Sequence, residues 1–171
     1  MLRKRRPDAR RPEGEANDAA AALTAAVACL SRRDYCSAEL AGRLSAQGFV
    51  SDAVQGALAE LIEQRYVDDE RYAQLFVTLH TGRGHGPLRI QRDLIGLGLA
   101  PPLAAAALQS YADGQDGWAK LAREVRTRRF GLELPKQWPQ IARQARFLQY
   151  RGFSNDHIRS ALGNDAISDT E

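Results

Sequence analysis

Three glycines, each at the same place in a repeated apolar frame, constrain this chain more than any other feature. With Gly48, Gly98 and Gly152 aligned, Leu44, Leu94 and Leu148 stand four residues earlier. Phe49, Leu99 and Phe153 stand one later, Val54, Ala104 and Ile158 six later, and Leu58, Leu108 and Leu162 ten later. The periods are 50 and 54 residues, the spacing of a structural repeat. Glycine enters the left-handed conformation after a helix without steric penalty. An apolar residue just beyond it folds back on the last turn, and apolar steps of four then open a second helix. Each copy reads as helix, tight glycine turn, helix. A helix ahead of each copy, at 22–31, 70–81 and 118–129, completes a three-helix unit. No convincing length alternates with period two, and Ala and Leu far outnumber Val, Ile and Thr.

The expected architecture is all-α: three tandem three-helix, helix-turn-helix-like repeats in an elongated curved body. Expected boundaries are a disordered basic arm at 1–18, repeats at 19–68, 69–116 and 117–164, and an acidic tail at 165–171. One 50-residue unit buries little surface by itself, so shared interfaces are expected. Asp68 reads as a helix N-cap followed by dipole-complementing Asp69 and Glu70. Capping explains these acids more simply than metal binding. Pro87 and the pair Pro101 and Pro102 suit first helical turns.

Net charge is +3, unevenly spread: +2 over 1–19, −2 over 20–68, −1 over 69–116, +7 over 117–162 and −3 over 163–171. A basic block of this kind points to an anionic partner, most simply nucleic acid. Arg123, Arg126, Arg128 and Arg129 cluster at one helix end, and Arg143, Arg146 and Arg151 follow in the next helix. Arg143 and Arg146 are three apart and share a face. A solvated face would mix in acids, yet only Glu124, Glu133 and Asp156 occur there. Arg71, Arg83, Arg89 and Arg92 form a second basic set. Trp118 and Trp138 are read as core anchors in preference to base-stacking rings. The glycine-rich segment 82–87 is read first as a structural hinge. The second reading is a phosphate held on free amides at the helix start, with Arg83 and Arg89.

Catalytic signatures are missing: there is no GxSxG, HExxH or GxxxxGK[ST]. No cofactor or metal is expected, since His80, His85 and His157 lack ligand spacing. Cys29 reads as core and both cysteines as reduced thiols. No apolar run approaches a membrane span, and the basic start lacks a secretory apolar stretch. A cytoplasmic location is expected, with no membrane partner.

Several segments carry a family resemblance. The stretch 31–40 with Leu44, the stretch 66–73 with Phe76, the run Gly84-His85-Gly86-Pro87 with Arg89, Ile90 and Leu94, and the stretch 147–153 resemble signatures of the RecX family. The likeness runs from about Leu23 to Leu162. It implies a non-enzymatic negative regulator that binds RecA and the RecA–single-stranded DNA filament. Such a regulator inhibits filament extension, strand exchange, ATP hydrolysis and coprotease activity, in DNA repair and the SOS response. Direct DNA contact and a monomeric state are further expectations. The alternative is a helix-turn-helix DNA-binding protein without RecA dependence. The chain departs from the family pattern at Cys36, where relatives often place a serine cap closed by Glu39. Thiol is a poor cap acceptor, so Ser37 is a possible replacement.

Overall fold

The computed structural model describes residues 14, 17–114 and 117–163. Among these the chain is helical and carries no strand. The helices are α1 (Ala19–Leu30), α2 (Ser37–Ala46), α3 (Ser51–Glu63), α4 (Asp69–Gly82), α5 (Pro87–Gly96), α6 (Pro101–Gly114), α7 (Gly117–Phe130), α8 (Trp138–Tyr150) and α9 (Asn155–Leu162). Of the expected arm at 1–18, residues 1–13, 15 and 16 lie outside the described residues, as does all of the expected tail at 165–171.

The repeat signal is one backbone motif made three times. Gly48, Gly98 and Gly152 have φ of 92°, 94° and 89°. Their N–H groups donate to the carbonyls of Ser45, Ile95 and Gln149, each at 2.9 Å. The next N–H groups, of Phe49, Leu99 and Phe153, reach back to Leu44, Leu94 and Leu148 at 3.3, 3.3 and 3.2 Å. This pair of bonds is the Schellman arrangement, which satisfies carbonyls orphaned at a helix end. Every apolar residue at the first three aligned offsets is buried. At the last offset Leu108 and Leu162 are buried and Leu58 is half-buried.

The chain divides into two compact units, one through Tyr72 and one from Ala73. In the first, α1 packs on α2 and α3. Its core joins Ala22, Ala26 and Cys29 of α1 with Leu40 and Leu44 of α2 and Val54, Ala57 and Leu61 of α3. Burying each such leucine contributes about 1.5–3 kcal/mol. Asp18 caps α1, accepting from Ala20 N–H at 2.8 Å. Cys36 stands at the N-cap of α2, so Ser37 does not take over that position. A carboxylate from the start of α4 serves the helix end: Asp69 accepts from Ser37 N–H at 2.7 Å and from Ser37 Oγ at 2.5 Å. Asp68 caps α4, accepting from Arg71 N–H at 3.0 Å. Asp68 thus caps the helix it precedes, as its placement predicted, whereas Asp69 serves the start of α2, a partner 32 residues away that its placement did not indicate. Burial pushes the Cys36 thiol above its ordinary range.

In the second unit α5 packs on α6, α6 on α7, and α7, α8 and α9 on one another. Pro87 occupies the first turn of α5. Trp118 is buried and tilts against Tyr111, ring centroids 4.5 Å apart. Trp138 differs from expectation: it opens α8 and is 59% exposed. The α8 helix buries Ile141, Gln144 and Leu148, a stripe that Trp138, three residues before Ile141, does not join.

Candidate anion-binding surface

The α7 helix sends Trp118, Leu121, Ala122 and Val125 inward. Arg123, Arg128 and Arg129 are left exposed. The α8 helix does the same, with Arg143 and Arg146 exposed and Arg151 at its C-cap. Phe130 and Phe147 join the two helices edge to face, ring centroids 5.3 Å apart at 89°. Each ring carries a guanidinium: Arg143 lies 5.8 Å from the Phe130 centroid and Arg151 lies 5.2 Å from that of Phe147. Such cation–π contacts hold flexible arginines in place at modest energy.

A shallow depression opens beside this pair, lined by Arg83, Arg128, Arg129, Arg151, Phe147 and Val125, with Gly84 in its wall. Arg151 is anchored there, its Nη1 donating to the Arg83 carbonyl at 2.7 Å. A Cβ on Gly84 (φ 76°) would meet Val125 Cγ2 at 2.9 Å, so the wall requires glycine. Among the described residues, Arg83, Arg128, Arg129, Arg143, Arg146 and Arg151 form no ion pair with a carboxylate. Guanidinium groups in this state suit phosphate or carboxylate oxygens, which they bind bidentately.

The other sequence-derived candidates divide. Arg126 is 3% exposed. Its guanidinium donates to the carbonyls of Gly131, Leu132 and Glu133 at 3.1, 3.2 and 2.9 Å. It braces the turn after α7 and is removed from any binding surface. A run of i+4 steps, Trp118, Ala122, Arg126, would have placed it on the buried face. Arg123 is exposed and donates to Ser160 Oγ at 2.8 Å. Arg89 and Arg92 both face Asp93 at 3.6 Å, which offsets part of their charge. Arg71 belongs to the first unit, where its Nη2 donates to the carbonyls of Arg65 and Tyr66 at 3.3 and 3.4 Å.

The amides of 82–87 are spent internally. Gly86 N–H donates to the Arg151 carbonyl at 2.8 Å and Leu88 N–H to that of Gly152 at 3.0 Å. Pro87 has no N–H, so the phosphate-cradle reading loses its donors and the structural reading of this segment stands. His85 of this segment meets His80 of α4, Nδ1 to Nδ1 3.1 Å, with His80 stacked on Phe76 at 3.9 Å. Burial, then nearby arginines, pulls both imidazoles below their ordinary pKa. Sequence reasoning did not select Phe130, Phe147 or Tyr150. The pair Phe147 and Arg151, four apart on one helix, was the available signal.

The described residues form tandem three-helix units with an arginine-rich face on α7 and α8, the architecture of a helical-repeat protein. Comparison with known proteins agrees. The profile for the second three-helix domain of RecX matches residues 68–108, and that for the third matches 119–162. The chain is 36% identical to regulatory protein RecX of Vibrio vulnificus over 82% of its own length and 90% of that protein. It is 38% identical to the same-named protein of Halorhodospira halophila, covering 80% and 83%. The crystal structure of RecX from Lactobacillus salivarius superposes with a TM-score of 0.74 at 21% identity, over 85% of this chain and 94% of that one, a likeness of fold. The chain belongs to the RecX family. None of its described helices is long and apolar enough to cross a membrane.

Proposed function

We propose that this protein restrains RecA by binding the RecA–single-stranded DNA filament, as a monomer in the cytoplasm and without chemistry of its own. The observation that carries this reading is the set of arginines on α7 and α8 that lack carboxylate partners among the described residues, with aromatic rings holding two of them. Family membership supports RecA as the partner. The exposed guanidinium groups contact phosphate and acidic RecA surface. Binding there bridges neighbouring subunits or occupies an extending end. Filament extension, strand exchange, ATP hydrolysis and coprotease activity all fall together because each needs the extended filament. Control is by binding energy, with no bond made or broken.

The test uses RecA strand exchange and electron microscopy of filaments, with the wild-type chain and Arg143→Glu/Arg146→Glu. Wild type shortens filaments and suppresses exchange, and the double variant loses most of that effect. A wild-type chain that leaves exchange untouched at saturation sinks the reading. Tight binding to one duplex sequence without RecA would favour the helix-turn-helix DNA-binding alternative.

A further inference from the structure

A second depression lies on the other side of the same helix end. Leu88, Arg92, Gln149, Tyr150, Ser154 and Asn155 line it. Tyr150 is 83% exposed and Leu88 55%, a ring and an aliphatic side chain bared side by side. Nothing in the packing of α8 requires an aromatic residue at 150, because its core stripe runs through Ile141, Gln144 and Leu148. Gln149 and Asn155 supply amide donors and acceptors at the rim. The Arg92 guanidinium is partly offset by Asp93 at 3.6 Å, and Asp156 opens α9 nearby. This side therefore suits a flat, uncharged ring with polar edges. The opposite side, at Arg83, Arg128 and Arg129, suits a phosphate.

Tyr150 and Arg151 are consecutive, so the two environments meet at one turn. We propose that the C-terminal turn of α8 is a binding site for single-stranded nucleic acid. A base stacks on Tyr150, and a phosphate further along the same strand is held by Arg83, Arg128 and Arg129. This rests on the filament reading and deepens it by naming the ligand of the arginine surface as the nucleic acid strand. A cationic track beside an exposed aromatic ring is the general design of single-strand binders. Duplex DNA has its bases already stacked and offers Tyr150 nothing. Arg151, fixed by the Arg83 carbonyl and the Phe147 ring, sets the position of the turn.

The test is fluorescence anisotropy of a labelled oligothymidylate titrated with the full chain, in the absence of RecA. Tyr150→Leu weakens binding by about five- to a hundredfold, and Tyr150→Phe keeps it. Arg128→Gln/Arg129→Gln weakens binding and flattens its salt dependence. On an oligomer of abasic sites, Tyr150→Leu binds like wild type while the arginine variant is still impaired. Melting curves confirm that substitution at so exposed a ring leaves the fold intact. Wild-type affinity of Tyr150→Leu for oligothymidylate overturns the proposal. Polyglutamate that binds as tightly as the oligonucleotide, and loses as much with Tyr150→Leu, also overturns it and assigns the surface to acidic protein. With no RecA present, failure here is separate from failure of the filament reading, which strand exchange alone decides.

Discussion

Gly86 seats directly against Gly152. The Gly86 N–H donates to the Arg151 carbonyl at 2.8 Å, and a Cβ on Gly86 would fall 2.5 Å from the Gly152 carbonyl carbon. On the other face of the contact, a Cβ on Gly152 would fall 2.4 Å from Arg89 Cβ. Two backbones touch where no side chain fits, and this contact carries the α8 turn on which the candidate site depends.

Gly152→Ala is therefore expected to be severe. It combines a left-handed φ of 89° with a clash against backbone. The cost is about 2–5 kcal/mol, from left-handed strain and overpacking together. Gly42→Ala is the contrast. Gly42 is an exposed residue within α2 with open space around its Cβ position, so alanine stabilises by about 0.5–1 kcal/mol. Thermal melts of the two variants should move in opposite directions.

Arg126→Met should destabilise the second unit by about 2–4 kcal/mol, because three carbonyls lose one shared donor. Arg126→Lys recovers only part, since an ammonium cannot reproduce the planar fork. Denaturant titration measures both. Equal stability of Arg126→Met and wild type would show that the brace is dispensable.

Asp69→Ala removes the acceptor of both Ser37 bonds. Loss of about 1–2 kcal/mol is expected, the scale of a helix cap. A double-mutant cycle with Ser37→Ala should return a coupling of about 1 kcal/mol. Full additivity would mean the bonds contribute nothing in solution.

Stability should fall in mild acid. Burial lowers the pKa of His80, His85 and His157 from the ordinary 6.5. The fold thus favours neutral imidazole, and the unfolded chain binds more protons. The stabilisation is complete above pH about 6.5 and is lost as the pH drops through the lowered values. At His157 the geometry agrees, since its Nδ1 accepts from Ser154 N–H in a capping box, a role protonation ends. His80 and His85 would place two cations 3.1 Å apart. Unfolding curves between pH 7.5 and 5 check this. His157→Gln, which keeps an acceptor at the same cap position, should flatten the slope.

Much of the fold was legible because its signals are local. Asp68 caps the helix it precedes, Pro87 opens one, and Gly48, Gly98 and Gly152 each close one. The candidate surface was legible only as a region. Arg128, Arg129, Arg143 and Arg146 are exposed, whereas Arg126, grouped with them by charge, is buried on the Trp118 and Ala122 face. Trp138 looked like a core anchor and faces outward.

What the sequence determined by itself was the threefold pattern and the helix ends, because left-handed φ, ring-locked φ and the spacing of apolar steps act within a few residues. Only the tertiary structure decided which arginines remain available. That depends on acceptors distant along the chain: the Arg83 carbonyl for Arg151, 68 residues away, and Ser160 for Arg123, 37 away. A guanidinium is committed or free according to what folding brings beside it, and no local propensity encodes that choice.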